Sequence, residues 1–411
     1  MTNQESTAFT SYQKFVIFLL AITQFTVVLD FMVMSPLGDI MMKSLQITTK
    51  QFGVAVSAYA FSAGISGLLT AGFADKYDRK KLLLFFYIGF TVGTLFCALA
   101  PTYVTLVLAR IFTGIFGGVI GSISMAIVAD LFSLQQRGKV MGFVQMGFGV
   151  SQVLGIPIGL YIANSWGWHV PFLWIAFMAA VIIIVLFLKL KPVTTHLLLQ
   201  KEKTAFQHLL HTVSQKNYLI GFLSTSLLSI GGFMMMPFGS AFAINNLKIT
   251  SEELPLLFMI TGIATLLSMP LIGKLSDRIN KFRIFAFATL FAVVVINVYA
   301  HFSATPFWIV MITNVLMMVA IMNRMVPSTA LTSAVPLPQD RGAFMSINSS
   351  LQQMAGGFGA MIAGVIIVQK DNFSPLQHYD WLAMISSSIM LFTIFLVYKV
   401  SKIVETTTTN S

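Results

Sequence analysis

One acidic residue, Asp30, lies within a long apolar stretch near the start of the sequence, and two arginines, Arg110 and Arg324, lie in later apolar stretches. A charged side chain costs about 2.5–3.5 kcal/mol at the centre of a membrane-spanning helix, so such residues usually face a bundle interior or a water-filled path. A buried carboxyl can bind and release a proton, whereas a guanidinium keeps its charge and needs an anionic or carbonyl partner. These three residues indicate proton and anion chemistry inside a membrane.

Asp30 is the candidate proton carrier, and Arg110 is the residue expected to control its affinity for the proton. Thr23 and Thr26 precede Asp30 by seven and four positions, so the three side chains share one face of a helix. The alternative for Asp30 is a structural hydrogen bond to a neighbouring helix. Arg324 has two placements, one inside its helix and one at the membrane interface if that helix ends early.

The composition requires helices that cross a membrane to position these residues. The chain has 411 residues, of which 56% are hydrophobic and 9% are charged, and its mean hydropathy is +0.84. Soluble domains carry about 25% charged residues, and about 20 apolar residues cross the hydrocarbon layer as a helix. We predict an all-α membrane protein with twelve transmembrane helices at 14–37, 51–73, 81–100, 103–128, 138–163, 169–189, 217–243, 253–275, 281–303, 306–333, 343–368 and 379–400.

An internal repeat divides these helices into two groups of six. Asp75 and Asp277 lie 202 positions apart in charged loops, and Gln136-Arg137-Gly138 matches Asp340-Arg341-Gly342 at an offset of 204. Two six-helix bundles related by pseudo-two-fold symmetry are one known transporter plan. The predicted units are an N-terminal bundle at 1–188, a polar linker at 189–216 and a C-terminal bundle at 217–411.

The distribution of basic residues predicts the orientation. Of the 25 Lys and Arg residues, four fall on one predicted side, two are the helix residues Arg110 and Arg324, and the other nineteen fall on the side of both termini. Cytoplasmic loops carry the excess of Lys and Arg, so we expect both termini in the cytoplasm. The net charge of +11 is therefore explained by the membrane and not by nucleic acid. A bacterial inner membrane and a monomer are the expected setting.

Polar and small residues in the predicted helices are candidates for a substrate cavity and for close helix packing. Amides that share a helix face can bind a substrate or can hydrogen-bond between helices, and both readings stay open. Glycines allow close approach, and a proline bends its helix. The expected cavity residues are Thr23, Thr26, Thr113, Gln145, Gln152, Asn314, Arg324 and Gln352, and the expected packing residues are Gly114, Gly117, Gly118, Gly155, Pro157 and Gly159.

The sequence resembles the major facilitator superfamily over nearly its whole length. The loop after the second predicted helix reads AGFADKYDRK from Ala71 to Lys80, similar to the family's loop signature, and Arg110 with Gly114 matches its helix-4 signature R-x-x-x-G. The run from Gly155 to Gly159 resembles a signature of proton-coupled exporters. The resemblance implies a conformational latch on the side of the bundle that holds both termini. Its residues are Asp75, Arg79, Lys80, Asp130, Asp277 and Arg278.

The leading interpretation is a transporter that works by alternating access and exports a small organic molecule, such as a drug, sugar or metabolite, in exchange for protons. The alternative is proton-coupled uptake or exchange of an organic anion, with Arg110 and Arg324 as carboxylate clamps. An enzyme is disfavoured because the sequence has no Walker loop, no metal-ligand spacing and no G-x-S-x-G motif. A non-transporting receptor is the remaining alternative. No cofactor or metal is expected.

Overall fold

The computed structural model describes residues 9–70, 74–194, 197, 211–337 and 340–409. The twelve predicted helices are present in these residues, in the predicted order. We label them α1 (Ser11–Val33), α2 (Thr49–Thr70), α3 (Arg79–Ala98), α4 (Tyr103–Leu131), α5 (Leu134–Val150, continued by Ile156–Trp166), α6 (His169–Lys189), α7 (Lys216–Phe233), α8 (Leu254–Arg278), α9 (Lys281–Ala300), α10 (Phe307–Asn323), α11 (Arg341–Ile366) and α12 (Tyr379–Thr409).

Within the described ranges, eleven of the helices are long and apolar enough to cross a membrane. The twelfth, α11, has 26 residues, but its first half is rich in Ser, Asn and Gln. The chain is therefore an integral membrane protein with twelve helices. The predicted linker 189–216 lies largely outside the described residues.

Three helices, α1, α7 and α10, are interrupted, and a fourth, α5, contains a π-helical turn. Residues 34–37 separate α1 from a short helix, Gly38–Leu45, and a 3₁₀ turn separates α7 from Gly239–Asn245. Pro36 and Pro237 lie in these two breaks, because proline has no N–H to continue the helical ladder. In α5 a π-helical turn, Ser151–Gly155, comes just before Pro157, and α10 continues as Met325–Thr332 after Arg324. The prediction of an unbroken helix was wrong for 217–243 and 306–333, whereas the predicted helix 14–37 ends early and 138–163 is continuous through the π-helical turn.

The internal repeat is visible in the helix ends. Asp78 caps α3 and Asn280 caps α9, each with its side chain accepting from backbone N–H groups, 202 positions apart. Gln46 and Lys248, also 202 apart, both have left-handed backbone conformations, with φ of 52° and 61°. The two groups of six helices thus share one register, which relates residues across the halves.

Two helix pairs join the halves: α2 packs against α11, and α5 packs against α8. Both contacts depend on glycines, because a residue without a side chain lets the two backbones approach closely. A Cβ on Gly53 of α2 would lie 2.8 Å from the carbonyl oxygen of Ala360, and one on Gly262 of α8 would lie 2.9 Å from that of Gln152. Close backbone contact of this kind lets helices pack tightly while leaving the surface between them smooth.

The predicted packing glycines join helices within the N-terminal half. A Cβ on Gly114, Gly117 or Gly118 of α4 would collide with α2, at Tyr59, Ser62 or Ala63. A Cβ on Gly155 or Gly159 of α5 would meet Leu29 or Val33 of α1. These glycines therefore allow close packing of α4 on α2 and of α5 on α1.

Candidate functional site

Asp30 and Arg110 form a fully buried ion pair within the N-terminal half. The Asp30 side chain is 0% exposed, that of Arg110 is 1% exposed, and Nη1 of Arg110 lies 2.8 Å from Oδ2 of Asp30. The other carboxylate oxygen accepts a hydrogen bond of 3.0 Å from the hydroxyl of Thr94 in α3. The attraction between the charges offsets the cost of burying them only while both partners stay charged and hydrogen-bonded. A change of protonation at Asp30 therefore strongly affects Arg110.

Two aromatic rings separate this ion pair from the space between the halves. The Arg110 guanidinium carbon lies 4.5 Å from the centre of the Tyr59 ring, and the Tyr59 and Phe31 rings lie 5.4 Å apart. Tyr59 and Phe31 also line the largest cavity between the halves, whereas Asp30 and Arg110 do not. A proton or an ion reaches the pair from that cavity only if these rings move.

We call the side of the bundle that holds both ends of the described chain the inner side, and the opposite side the outer side. The inner cavity, about 560 Å³, lies between the halves and extends from Tyr59 to the inner ends of α4 and α11. Its wall is polar, with three amides and several serine hydroxyls contributed by both halves. The polar lining residues are Gln24, Ser122, Gln145, Ser346, Ser349, Ser350 and Gln353.

Two smaller cavities continue the inner cavity toward the outer side. The first, about 120 Å³, shares Phe31 and Gln353 with the inner cavity and is also lined by Gln352. The second, which we call the central pocket, is about 50 Å³ and shares Ser35 and Met236 with the first. The shared residues place the three cavities side by side along a path between the halves, and the central pocket at its end is too small for an organic molecule in this conformation.

The central pocket combines a few polar groups with many methionines. Asn314 is its central polar residue: its Oδ1 accepts a hydrogen bond of 2.9 Å from Thr261, and its Nδ2 lies 3.5 Å from the hydroxyl of Tyr299. Methionine side chains adapt to irregular shapes, which suits a pocket that must change volume. The pocket methionines are Met235, Met236, Met317, Met318 and Met322.

The halves are joined by hydrogen bonds at the outer ends of their helices. The strongest group is centred on Asp39, whose Oδ1 accepts from Nδ2 of Asn245 at 2.6 Å and whose Oδ2 accepts from Lys43 at 2.8 Å. Further bonds join Ser240 to the Ser35 carbonyl, Thr49 to the Ile367 carbonyl, Asn372 to the Met42 carbonyl and Asn164 to the Ser251 carbonyl. The molecule is closed on the outer side, while its largest cavity lies on the inner side.

At the inner side, Arg79 lies beside Asp130, as the resemblance implies. Nε of Arg79 is 3.3 Å from Oδ2 of Asp130, and Nη1 donates to the Ala74 carbonyl oxygen. Lys80 donates instead to the carbonyl oxygen of Phe187 in α6, and Arg278 is exposed. The side chains of Asp75 and Asp277 lie outside the described residues.

The predicted cavity residues divide into three groups. Gln145, Gln152, Asn314 and Gln352 line the path between the halves. Thr23, Thr26 and Thr113 are buried within the N-terminal half, where their hydroxyls donate to carbonyl oxygens one helical turn back or, for Thr26, three residues back. Arg324 is 0% exposed, which places it inside the C-terminal half and not at the interface.

Several residues of the site were not expected from the sequence. Tyr59, Thr94, Asp39 and Asn245 all contact charged groups, and none stands out in a single sequence. Tyr59 is one of ten tyrosines, and Asp39 lies at a predicted helix end, where an acidic residue is ordinary. The repeat gives no signal for the pair, because Asp39 and Asn245 lie 206 positions apart, outside its offsets of 202 and 204.

Known proteins resemble this chain in sequence and in fold. A family model described as the Major Facilitator Superfamily matches residues 20–360 and, in a second alignment, residues 221–410. YbcL of Bacillus subtilis (strain 168), an uncharacterised MFS-type transporter, is 25% identical over 390 residues, which cover 93% of this chain and 95% of that protein. Multidrug resistance protein 3 of the same organism is 37% identical over 115 residues, 28% of this chain and 22% of that protein. A crystal structure of a D-xylose–proton symporter superposes with a TM-score of 0.76 at 17% identity, covering 94% of this chain and 97% of that one.

Proposed function

The chain belongs to the major facilitator superfamily of transporters, and from that premise we propose that it exports a small organic molecule in exchange for protons. The observation that carries this proposal is the buried Asp30–Arg110 ion pair, which lies one aromatic layer away from the path between the halves. The partial match to a multidrug resistance protein supports export. The inner side is taken as cytoplasmic because it carries most of the Lys and Arg residues.

Protonation of Asp30 is the proposed coupling event. A neutral carboxyl no longer balances Arg110, whose other contacts, which include the Tyr59 ring and the Asp30 backbone carbonyl at 3.5 Å, carry no full negative charge. An uncompensated buried charge is costly, so the guanidinium is driven toward a new partner and moves the Tyr59 ring with it. In the proposed cycle Asp30 takes up a proton from the outer side as substrate leaves, and it loses the proton to the inner side as substrate binds again.

The halves, 1–188 and 217–411, are the proposed moving bodies, connected by the linker 189–216. To open outward, the molecule must break the hydrogen bonds at Asp39 and Asn245 and close the inner cavity. Arg79 and Asp130 form the proposed latch that holds the inner ends in one arrangement. The smooth glycine contacts between α2 and α11 and between α5 and α8 allow such a motion.

The test measures pH inside vesicles that contain the purified protein and an acidic lumen. A lipophilic cation (ethidium), a sugar (D-xylose) and a membrane-impermeant carboxylate (gluconate) are added outside, one at a time. Exchange of a substrate for protons makes the lumen more alkaline, and we expect this response for one of these classes. Asp30→Asn should abolish it, because the amide cannot carry the proton, while Glu405→Gln, at an exposed site, should leave it unchanged.

Two results would count against the proposal. If the lumen becomes more acidic as substrate enters, protons and substrate move together, and export by exchange is wrong. If the response survives Asp30→Asn, the coupling residue is wrong. Vesicles without protein measure passive leakage in both cases.

A further inference from the structure

Arg324 is a fully buried cation that uses only part of its hydrogen-bonding capacity. One of its terminal nitrogens, Nη2, donates to the carbonyl oxygen of Leu228 in α7 at 3.1 Å. Its Nε and Nη1 have no hydrogen-bond partner among the described residues. A guanidinium carries five N–H donors and cannot lose its charge, so a single carbonyl leaves most of this group unsatisfied.

No carboxylate of the described residues forms an ion pair with Arg324. The one acidic residue buried in the middle of a helix, Asp30, is bound to Arg110 in the other half. In the C-terminal half, Asp340 accepts from the hydroxyl of Tyr218 near the inner end of α7, and Glu253, just before α8 at the outer end, accepts from the backbone N–H of Thr250. The negative charge that a buried arginine needs is therefore not supplied by these parts of the chain.

Two buried hydroxyls lie in α7 on either side of the carbonyl that Arg324 contacts. Ser224 and Ser229 flank Leu228, and their oxygen atoms also have no hydrogen-bond partner among the described residues. The α7–α10 contact places this stretch beside Arg324, since a Cβ on Gly232 would lie 3.7 Å from Ile321. Hydroxyls and guanidinium N–H groups are the donors that bind carboxylates and phosphates.

Arg324 lies at the break that follows α10, near the part of that helix that lines the central pocket, but it does not line the pocket itself. It follows Met317 by seven positions, or about two turns and about 10 Å toward the inner side, and Met317 and Met322 both line that pocket. A purely structural role does not account for the charge, because an apolar side chain of similar size fills a helix contact at lower cost. The free donors are explained if an anion enters when the central pocket expands.

We propose that Arg324 binds an anionic group, a carboxylate or a phosphate, of the transported molecule. This inference rests on the proposed function only in taking the path between the halves as the route of the substrate. It narrows the substrate class to molecules with an apolar body, which suits the methionines, and one anionic end. It also separates the two arginines, since Arg110 already has a carboxylate of its own.

The test is an equilibrium binding experiment, so it does not depend on proton coupling and can fail independently of the vesicle experiment. Purified protein is heated with benzoate, with the neutral isostere benzamide, or with inorganic phosphate, at matched ionic strength, and unfolding is followed. The thiol of Cys97, the single and buried cysteine, reports unfolding through a thiol-reactive dye. We expect benzoate or phosphate to raise the unfolding temperature of the wild type and benzamide to leave it unchanged.

The variants assign the effect to Arg324. Arg324→Gln should raise the anion concentration needed for the same increase in unfolding temperature at least about tenfold, as expected for the loss of a charge-assisted hydrogen-bond pair. Arg324→Lys should keep part of it. Arg283→Gln, which removes the same charge from an exposed site in the same half, should behave as the wild type.

Two outcomes would overturn the proposal: an equal anion response in Arg324→Gln and wild type, or equal responses of the wild type to benzoate and benzamide. If neither Arg324 variant folds, a Ser224→Cys variant replaces them. Its alkylation by a small maleimide should be slowed by benzoate and not by benzamide, and equal rates would again overturn the proposal.

Discussion

The two halves use one structural position for different chemistry. Arg110 is the eighth residue of α4, and Asn314 is the eighth residue of α10. Each contacts the equivalent residue of the second helix of its half, since Tyr59 and Thr261 are 202 positions apart. In the N-terminal half the position is charged, paired and closed off by aromatic rings. In the C-terminal half it is neutral and open to the central pocket.

This difference suggests a division of work between the halves. A buried ion pair stores a proton-dependent charge but must be shielded from substrate, because any polar molecule competes for its partners. A neutral amide in a methionine-rich pocket can contact many molecules without a large desolvation cost. The C-terminal half instead contains Arg324. At the offset of 204 positions that relates Arg110 to Asn314, Arg324 corresponds to Ile120. The two proposals therefore assign proton coupling to a charge in the N-terminal half and substrate binding to a charge in the C-terminal half.

The largest effect is expected when the charged residues of the N-terminal ion pair are replaced by neutral ones, as in the C-terminal half. Asp30→Asn leaves an unpaired guanidinium in the N-terminal half, and breaking a buried pair in this way costs about 3–5 kcal/mol. Arg110→Asn should cost less, because Asp30 can take up a proton and become neutral. The double variant should recover most of the lost stability, since it carries neither charge. Thermal unfolding, reported by Cys97, gives all three values.

The order of the three variants is what tests the comparison. A double variant as unstable as Asp30→Asn would mean that the ion pair also holds the helices together, so that the halves differ in architecture and not only in chemistry. Glu405→Gln serves as the control for the loss of an exposed acid.

A smaller effect is expected at the outer ends, where the contact between Asp39 and Asn245 joins the two halves. Asn245→Leu removes the amide that donates to Asp39, and a hydrogen bond to a charged group contributes about 1.5–3 kcal/mol. The equilibrium should shift about tenfold or more toward the outward-open form. A cysteine at Gly239 reports this shift, because the position lines the central pocket and has room for a Cβ.

The measurement is the rate at which a membrane-impermeant maleimide, added to intact cells, labels the Gly239→Cys protein. Asn246→Leu is the matched control, since the side chain of Asn246 bonds to the backbone of Leu376, within its own half. Faster labelling in both variants would show that loss of local structure, and not opening of the contact between the halves, exposes the pocket.

The sequence was sufficient for the architecture because membrane insertion is governed by local composition. Runs of about 20 apolar residues specify helices one by one, and the charged loops mark the repeat. The interruptions in α1, α7 and α10 were not predictable to the residue, since a proline near a membrane interface is compatible with either a bend or a break. The helix ends were predicted to within a few residues at α6 and α11.

The site was only partly predictable, because burial depends on which helix faces meet. Asp30 and Arg110 stood out by charge, and the structure joins them in one ion pair. Thr23 and Thr26 share the face of Asp30, but that face turns toward α3, where Thr26 meets the hydroxyl of Tyr87, and not toward the cavity. Periodicity gives the face of a helix, whereas the neighbour of that face comes from the packing of the whole bundle.

The smallest effect is expected at Asn314 and Thr261, the neutral contact of the C-terminal half. Removing the contact between Asn314 and Thr261 by Asn314→Leu and Thr261→Val, singly and together, should give a coupling energy of about 0.5–1.5 kcal/mol, the range of a neutral hydrogen bond. The same cycle for Asp30 and Arg110 should give a clearly larger value, since those groups are charged and fully buried. Thr265→Val is the control, because Thr265 lines the same pocket but donates only to the backbone of Thr261. Equal coupling energies in the two halves would mean that the ion pair is screened by movement of Tyr59 and Phe31, and the proposed separation of proton and substrate sites would then lose its physical basis.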